Sequence, residues 1–158
     1  MRRVAMKQLI RYPACLAALL ITSTAVPAAA QDAALGAAVG AYDSSLRLPD
    51  DGSLVQWADF TGDGRPDVAA VLSGGQGSSL VIFNAQTGGF QAHPLYTRLP
   101  SGPIVIRMVL PGWHRVLGPS REVELLNPAV ELVFPGRSSA IYAWRNGRYH
   151  VFPTEGYH

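Results

Sequence analysis

After Cys15 the chain has no cysteine, and that absence excludes disulfides, thiolate zinc sites and a cysteine nucleophile from everything beyond it. Cys15 itself stands near the start of an apolar run, not just after it, which excludes lipidation of the lipoprotein type. Long hydrophobic stretches are also missing. The longest, Ala14 to Val26, covers 13 residues, against the ~20 that a helix needs to cross a bilayer. Positive charge is scarce once Arg2, Arg3, Lys7 and Arg11 are set aside, because nine arginines then face eleven acids and the formal charge becomes −2. The remaining arginines are scattered and form no basic stripe of the kind that nucleic-acid binding requires.

The four N-terminal basic residues followed by that short apolar run read as the charged and hydrophobic regions of a secretory signal peptide. Pro27-Ala28-Ala29-Ala30 closes the run, and Ala28 and Ala30 supply the small residues that a signal peptidase requires, so cleavage is expected after Ala30. Residues 1–30 are thus a signal peptide and 31–158 a single β-rich domain, periplasmic or secreted. About 128 residues suit one domain with its own core, since such domains cluster near ~100 to 150 residues.

From Asp32 to Tyr42 the chain is rich in alanine, with Leu35, Val39 and Tyr42 at helical spacing. A short helix and a disordered N-terminus are both compatible with it, because Gly36 and Gly40 weaken a helix. Beyond Pro49 the pattern changes to short apolar runs broken by Gly, Pro, Asn and Asp, which is how an antiparallel β domain reads. The expected strands are Leu54 to Ala58, Val68 to Leu72, Leu80 to Asn84, Phe90 to Tyr96, Ile104 to Leu110, Glu122 to Leu126, Val130 to Phe134 and Ala140 to Trp144. Arg148 to Phe152 is a closing partner, joined through Asn146-Gly147, both of which tolerate the positive φ of a type I′ turn. Tyr142 and Trp144 then share one face. Thr87-Gly88-Gly89 reads as a second turn, and Ser73 to Ser79 as a glycine-rich loop that lacks the lysine of a phosphate cradle.

The segment Asp59-Phe60-Thr61-Gly62-Asp63-Gly64-Arg65-Pro66-Asp67 carries the chemistry. Asp59, Thr61, Asp63 and Asp67 place side-chain oxygens at loop positions 1, 3, 5 and 9, and the carbonyl of Arg65 falls at position 7. Calcium takes six to eight oxygen ligands, which alternate residues of a tightly wound loop supply, and a glycine at position 6, here Gly64, lets the chain turn sharply. An isolated turn needs one aspartate, whereas three carboxylates within nine residues repel one another without a cation. Magnesium suits a flexible oxygen-rich loop less well. In an EF-hand position 12 is a bidentate glutamate; here it is Ala70, followed by an apolar strand.

Ala58 to Leu72, ADFTGDGRPDVAAVL, resembles the calcium loop of the FG-GAP and VCBS repeat families, where Asp, any, Asp or Asn, any, Asp-Gly, any two, Asp precedes an apolar strand. The resemblance implies Ca²⁺ bound by Asp59, Thr61, Asp63, Arg65 and Asp67 in a turn joining two adjacent strands. Thr61 departs from the pattern, which implies weak affinity. Only one copy of the loop is present. A propeller needs at least four blades, and this length holds two or three at ~40 to 50 residues each, so a stand-alone β domain of eight or nine strands is expected, not a propeller. Ser138 to Phe152 resembles the ends of small exported bacterial proteins of this kind.

Other candidates are weaker. His93, His114, His150 and His158 form no pair at metal-ligand spacing. No Gly-x-Ser-x-Gly elbow is present. Glu122, Glu124 and Glu131 could supply a carboxylate pair for glycoside cleavage, yet Glu122 to Leu125 alternates polar and apolar as a half-exposed strand does. Trp57 and Trp144 are expected in the core, and Trp113, in a turn after Pro111, is the expected contact residue. Three functions stay open: a calcium-stiffened module serving a protein or glycan partner, an exported hydrolase acting on glycans with calcium as scaffold, and a cation-independent envelope protein in which Asp63→Ala leaves folding untouched.

Overall fold

The computed structural model describes residues 28–155; most of the expected signal peptide and His158 lie outside them. The longest apolar runs explain the architecture. Val68 to Leu72, Leu80 to Phe83 and Ala129 to Phe134 are buried at every position, and a strand reads that way only when both faces of its sheet are covered. Here both are covered, twice over.

The first antiparallel sheet runs β1 (Val55–Ala58), β2 (Asp67–Gly74), β3 (Gly77–Gln86) and β4 (Gly89–Leu99) in that order. The second has the order β10-β9-β8-β5, from β5 (Val105–Val109), β8 (Ala129–Phe134), β9 (Ser138–Arg145) and β10 (Arg148–Thr154). Between β5 and β8 the chain forms a separate hairpin, β6 (Gly112–Arg115) with β7 (Glu122–Leu125). Helix α1 (Ala28–Tyr42) precedes all of them. The fold is therefore mainly β, and it is neither a closed barrel nor a propeller. No helix among the described residues is long and apolar enough to cross a membrane.

Side chains alternate across each strand, so successive residues serve different layers. Ala69, Val71, Leu80 and Ile82 meet Ile106, Val130, Leu132 and Tyr142 between the two sheets. Val68, Ala70, Leu72, Val81 and Phe83 face outward and are covered by Leu35 and Val39 of α1. On the far side Ala129, Ile141 and Ala143 are covered by Val123 and Leu125 of the hairpin. The burial of β7 alternates as expected. Pro94 and Pro153, which cannot donate to a ladder, fall on the edge strands β4 and β10.

Of the alternatives left open for the N-terminus, the chain forms the helix. Asn146 and Gly147, at φ 52° and 78°, make the expected turn between β9 and β10, and Gln86 pairs with Gly89 around the Thr87-Gly88 turn. Three expectations are corrected. Ser73 to Ser79 is mostly strand: Gly74 pairs with Gly77, leaving only Gly75-Gln76 to turn. Gly112–Arg115 is a strand, not a turn, since Trp113 pairs with Glu124. Trp57 is not in the core: it lies on the edge strand β1, 37% exposed, with Phe90 edge-on at 6.4 Å.

Candidate metal centre

The nine-residue acidic loop joins β1 to β2, two antiparallel neighbours whose register sets Ala58 opposite Asp67. A chain that returns over so few residues must satisfy its own backbone donors, and the aspartates do this. Asp59 Oδ1 accepts from Gly62 N at 2.7 Å and Asp63 N at 3.0 Å, and Oδ2 accepts from Gly64 N at 2.8 Å. Three successive amides thus enclose one carboxylate. Gly64 stands at φ 83°, in the left-handed region where a Cβ is costly, as its place in the loop requires.

Asp67 is fully buried. Its Oδ2 accepts from Thr61 N at 3.0 Å and its Oδ1 from Ala85 N, at the end of β3, at 2.7 Å. The carboxylate therefore ties the loop to the strand beyond its own hairpin. Burial pushes the Asp67 carboxyl above its ordinary value, and the charge of Asp63 pushes the same way, against the two amides that lower it. Asp63 turns outward: Oδ1 accepts from Arg65 N at 2.9 Å and Oδ2 meets Arg65 Nε at 3.2 Å. Thr61 Oγ1 lies 3.5 Å from Asp59 Oδ1, at the limit of a hydrogen bond.

Two contacts not expected from sequence hold the loop from outside. Phe60 is fully buried in the core between the sheets, so the acidic loop is pinned by its one large apolar side chain. Gly62, at φ 77°, lies so close to Asn127 that a Cβ there would stand 2.6 Å from the amide group. Asn127 belongs to the connection between β7 and β8. The loop therefore touches elements of both sheets. The apolar residue at loop position 2 was the available signal for the first contact; Asn127 lies too far along the chain to give one.

The donor set fits a hard cation in kind, being all oxygen with no thiolate or imidazole among it. It fits less well in position. Among the described residues no three Asp, Glu, His or Cys side chains are grouped as a metal site. Asp59 and Asp67 are drawn inward by amides, while Asp63 pairs with Arg65, so closing on an ion would require Asp63 to leave that exposed partner. An exposed pair of this kind contributes only ~0 to 1 kcal/mol, which makes the rearrangement inexpensive.

The remaining candidates are dispersed. Trp113 is 69% exposed. His93, with Nε2 buried and no hydrogen-bond partner, packs against Trp144 and Tyr149. Glu131 is a buried residue of β8 that pairs with Arg107, while Glu122 and Glu124 are exposed on β7. Compared with known protein families, characterised proteins and solved structures, the chain shows no match.

Proposed function

We propose that this chain is an exported calcium-binding β module, in which calcium stiffens the connection between β1 and β2 and an outer face serves an interaction with a protein or glycan partner. Asp59, Asp63 and Asp67, with the hydroxyl of Thr61 and the carbonyl of Arg65, would hold the ion, which supplies positive charge that offsets three carboxylates. The observation that carries the reading is the enclosure of Asp59 by the amides of Gly62, Asp63 and Gly64. It orients a carboxylate at the head of an all-oxygen loop before any ion arrives. The partners of that loop, Phe60 in the inter-sheet core and Asn127 from the β7–β8 connection, make its rigidity matter to both sheets.

Export to the periplasm or beyond follows from the signal-peptide pattern of residues 1–30 and belongs to the same proposal. The exposed Trp113 on β6 is the contact residue proposed for the partner face. The test is a melting curve in millimolar calcium and in chelator. At ~10 mM calcium, a site with Kd near ~0.3 mM adds about 2 kcal/mol, which is about 6 °C for a domain of this size. An unmoved midpoint contradicts the proposal.

One observation favours the second reading, an exported hydrolase of glycans. A cleft beside β6 and β7 is lined by Glu122, Glu131 and His114. Glu131, however, accepts from Arg107 on one oxygen and from Thr154 on the other, and His114 Nε2 donates to the Leu110 carbonyl at 2.8 Å. These engagements tie up the buried carboxylate and the imidazole of the cleft and leave Glu122 and Glu155 at its rim, so the module reading stands first. Release of sugar from envelope glycan by the purified chain, abolished in Glu122→Gln, would reverse that order.

A further inference from the structure

The cleft just described has chemistry that neither reading uses. It holds about 1210 Å³ and lies on the outer face of the second sheet, against the β6–β7 hairpin. Its floor is polar where the strand is otherwise apolar. Glu131 interrupts the apolar run of β8 while staying buried, and the β5–β8 register places it directly opposite Arg107. Arg107 donates from Nε and Nη2 to Glu131 Oε2, both at 2.7 Å. Thr154 donates to Glu131 Oε1 at 2.9 Å and stands 2.6 Å from Ser139 Oγ. Four residues from all four strands of the sheet thus form one connected polar row. Its carboxylate is already satisfied, and the guanidinium of Arg107, 43% exposed, is held in a fixed orientation at the edge of the cleft.

The opposite wall brings two more guanidinium groups. Arg115 and Arg121 line the cleft, and neither makes an ion pair among the described residues. Glu122, though opposite Arg115 in the register, does not pair with it. Arg121 stands at φ 52°, a left-handed conformation that costs a non-glycine residue stability and recurs where binding sites store strain. Its loop is nonetheless held: Val116 N donates to the Arg121 carbonyl at 2.8 Å and Leu117 N to that of Pro153 at 2.7 Å. Beside the arginines the lining turns apolar, with Val109 half-buried and Leu110 and Leu117 exposed. Glu122 and Glu155 also line the cleft, and their charge sets a limit on how much anion it accepts.

We infer that this cleft binds a small amphipathic anion, with one oxyanion head, carboxylate or phosphate, among Arg107, Arg115 and Arg121, and an apolar chain along Val109, Leu110 and Leu117. The planar guanidinium fork matches either head. Glu122 and Glu155 disfavour polyanions, nucleic acid among them. The inference does not depend on calcium, and its test is run in chelator.

The full chain is titrated with decanoate, decyl phosphate, acetate and decanol, following amide resonances of β5 and of the 116–121 loop. Saturable shifts with decanoate, decyl phosphate or both are expected below micelle formation, and which of the two binds more tightly identifies the head. Acetate and decanol should bind at least about tenfold more weakly, because each lacks one half of the contact. Arg115→Gln should weaken the better ligand about tenfold. Arg121→Gly should do the same while raising the melting midpoint, since glycine suits the φ there; that rise separates lost binding from lost folding. The inference is overturned if neither decyl ligand saturates, if decanol binds as tightly as the anions, or if both arginine variants bind like the wild type.

Discussion

Replacing Phe60 by alanine removes a fully buried ring from the core between the two sheets while leaving every aspartate of the loop in place. The ring packs within a cluster that includes Ala69 and Val71 of β2, Ile106 of β5 and Val130 of β8, so both sheets lose contacts. Truncating a buried phenylalanine costs about 3 to 5 kcal/mol, the lost transfer free energy plus the cavity that close-packed neighbours cannot refill. Against a total stability of ~5 to 15 kcal/mol, that is a large share. Urea unfolding followed by far-UV circular dichroism should show a midpoint lower by roughly 2 M at an m near ~2 kcal/mol/M, with m unchanged. Phe60→Leu, which keeps most of the volume, should lose no more than about 1.5 kcal/mol. A loss below about 1 kcal/mol for alanine would mean that the loop is not anchored in the core, and the coupling of the loop to both sheets would have to be abandoned.

Burial pushes the Tyr142 hydroxyl up to about 12, helped by nearby Tyr96, and pushes Tyr149 up as well, against the hydrogen bond to Asn84. The unfolded chain releases these protons near ~10, so the contribution of these two groups is constant below that pH and is lost as pH rises from there to 12, by ~1.4 kcal/mol per pH unit for each tyrosine; the part of the tyrosinate absorbance that is lost in Tyr142→Phe and Tyr149→Phe should rise together with unfolding, not before it. Burial lowers His93 below its ordinary value, although the charge of Asp67 raises it. The unfolded chain then binds the extra proton first, so stability falls as pH drops below ~6.5, and His93→Phe should flatten that limb in pH-dependent melting. Arg107→Met leaves Glu131 buried without its cation and should cost about 1 to 3 kcal/mol, less than a fully buried pair because Arg107 is partly in water; the double variant Arg107→Met/Glu131→Leu should recover most of the loss in thermal melts.

The central strands were legible because an uninterrupted apolar run such as Leu80 to Phe83 has few other uses, and the Asn146-Gly147 turn because its residues are those that tolerate positive φ. What covers those runs was not legible: nothing local in Val68 to Leu72 says that α1 lies on one face and a second sheet on the other. Trp57 was misplaced for a related reason. Membership of a strand does not tell an edge from a centre. β6 was missed because Pro111-Gly112 reads as a turn and four residues with a histidine and an arginine among them carry no apolar pattern. In the candidate site, the spacing of Asp59, Asp63 and Asp67 was visible in the chain, while their present partners, amides for two of them and Arg65 for the third, are set by backbone geometry. The cleft was invisible as a unit. Arg107, Glu131, Ser139 and Thr154 meet only through strand pairing, and the single local sign was a glutamate inside an otherwise apolar strand.

Calcium binding by the β1–β2 loop is read out by titrating the chain with calcium and following the amide resonances of Gly62, Asp63 and Gly64, the three donors to Asp59. One saturable site is expected, with Kd of ~10⁻⁴ to 10⁻³ M, weaker still for magnesium, and at least about tenfold weakened by Asp63→Asn, which removes one of three carboxylates. No saturable shift up to ~10 mM calcium, well beyond that range, or equal binding by Asp63→Asn, would contradict it.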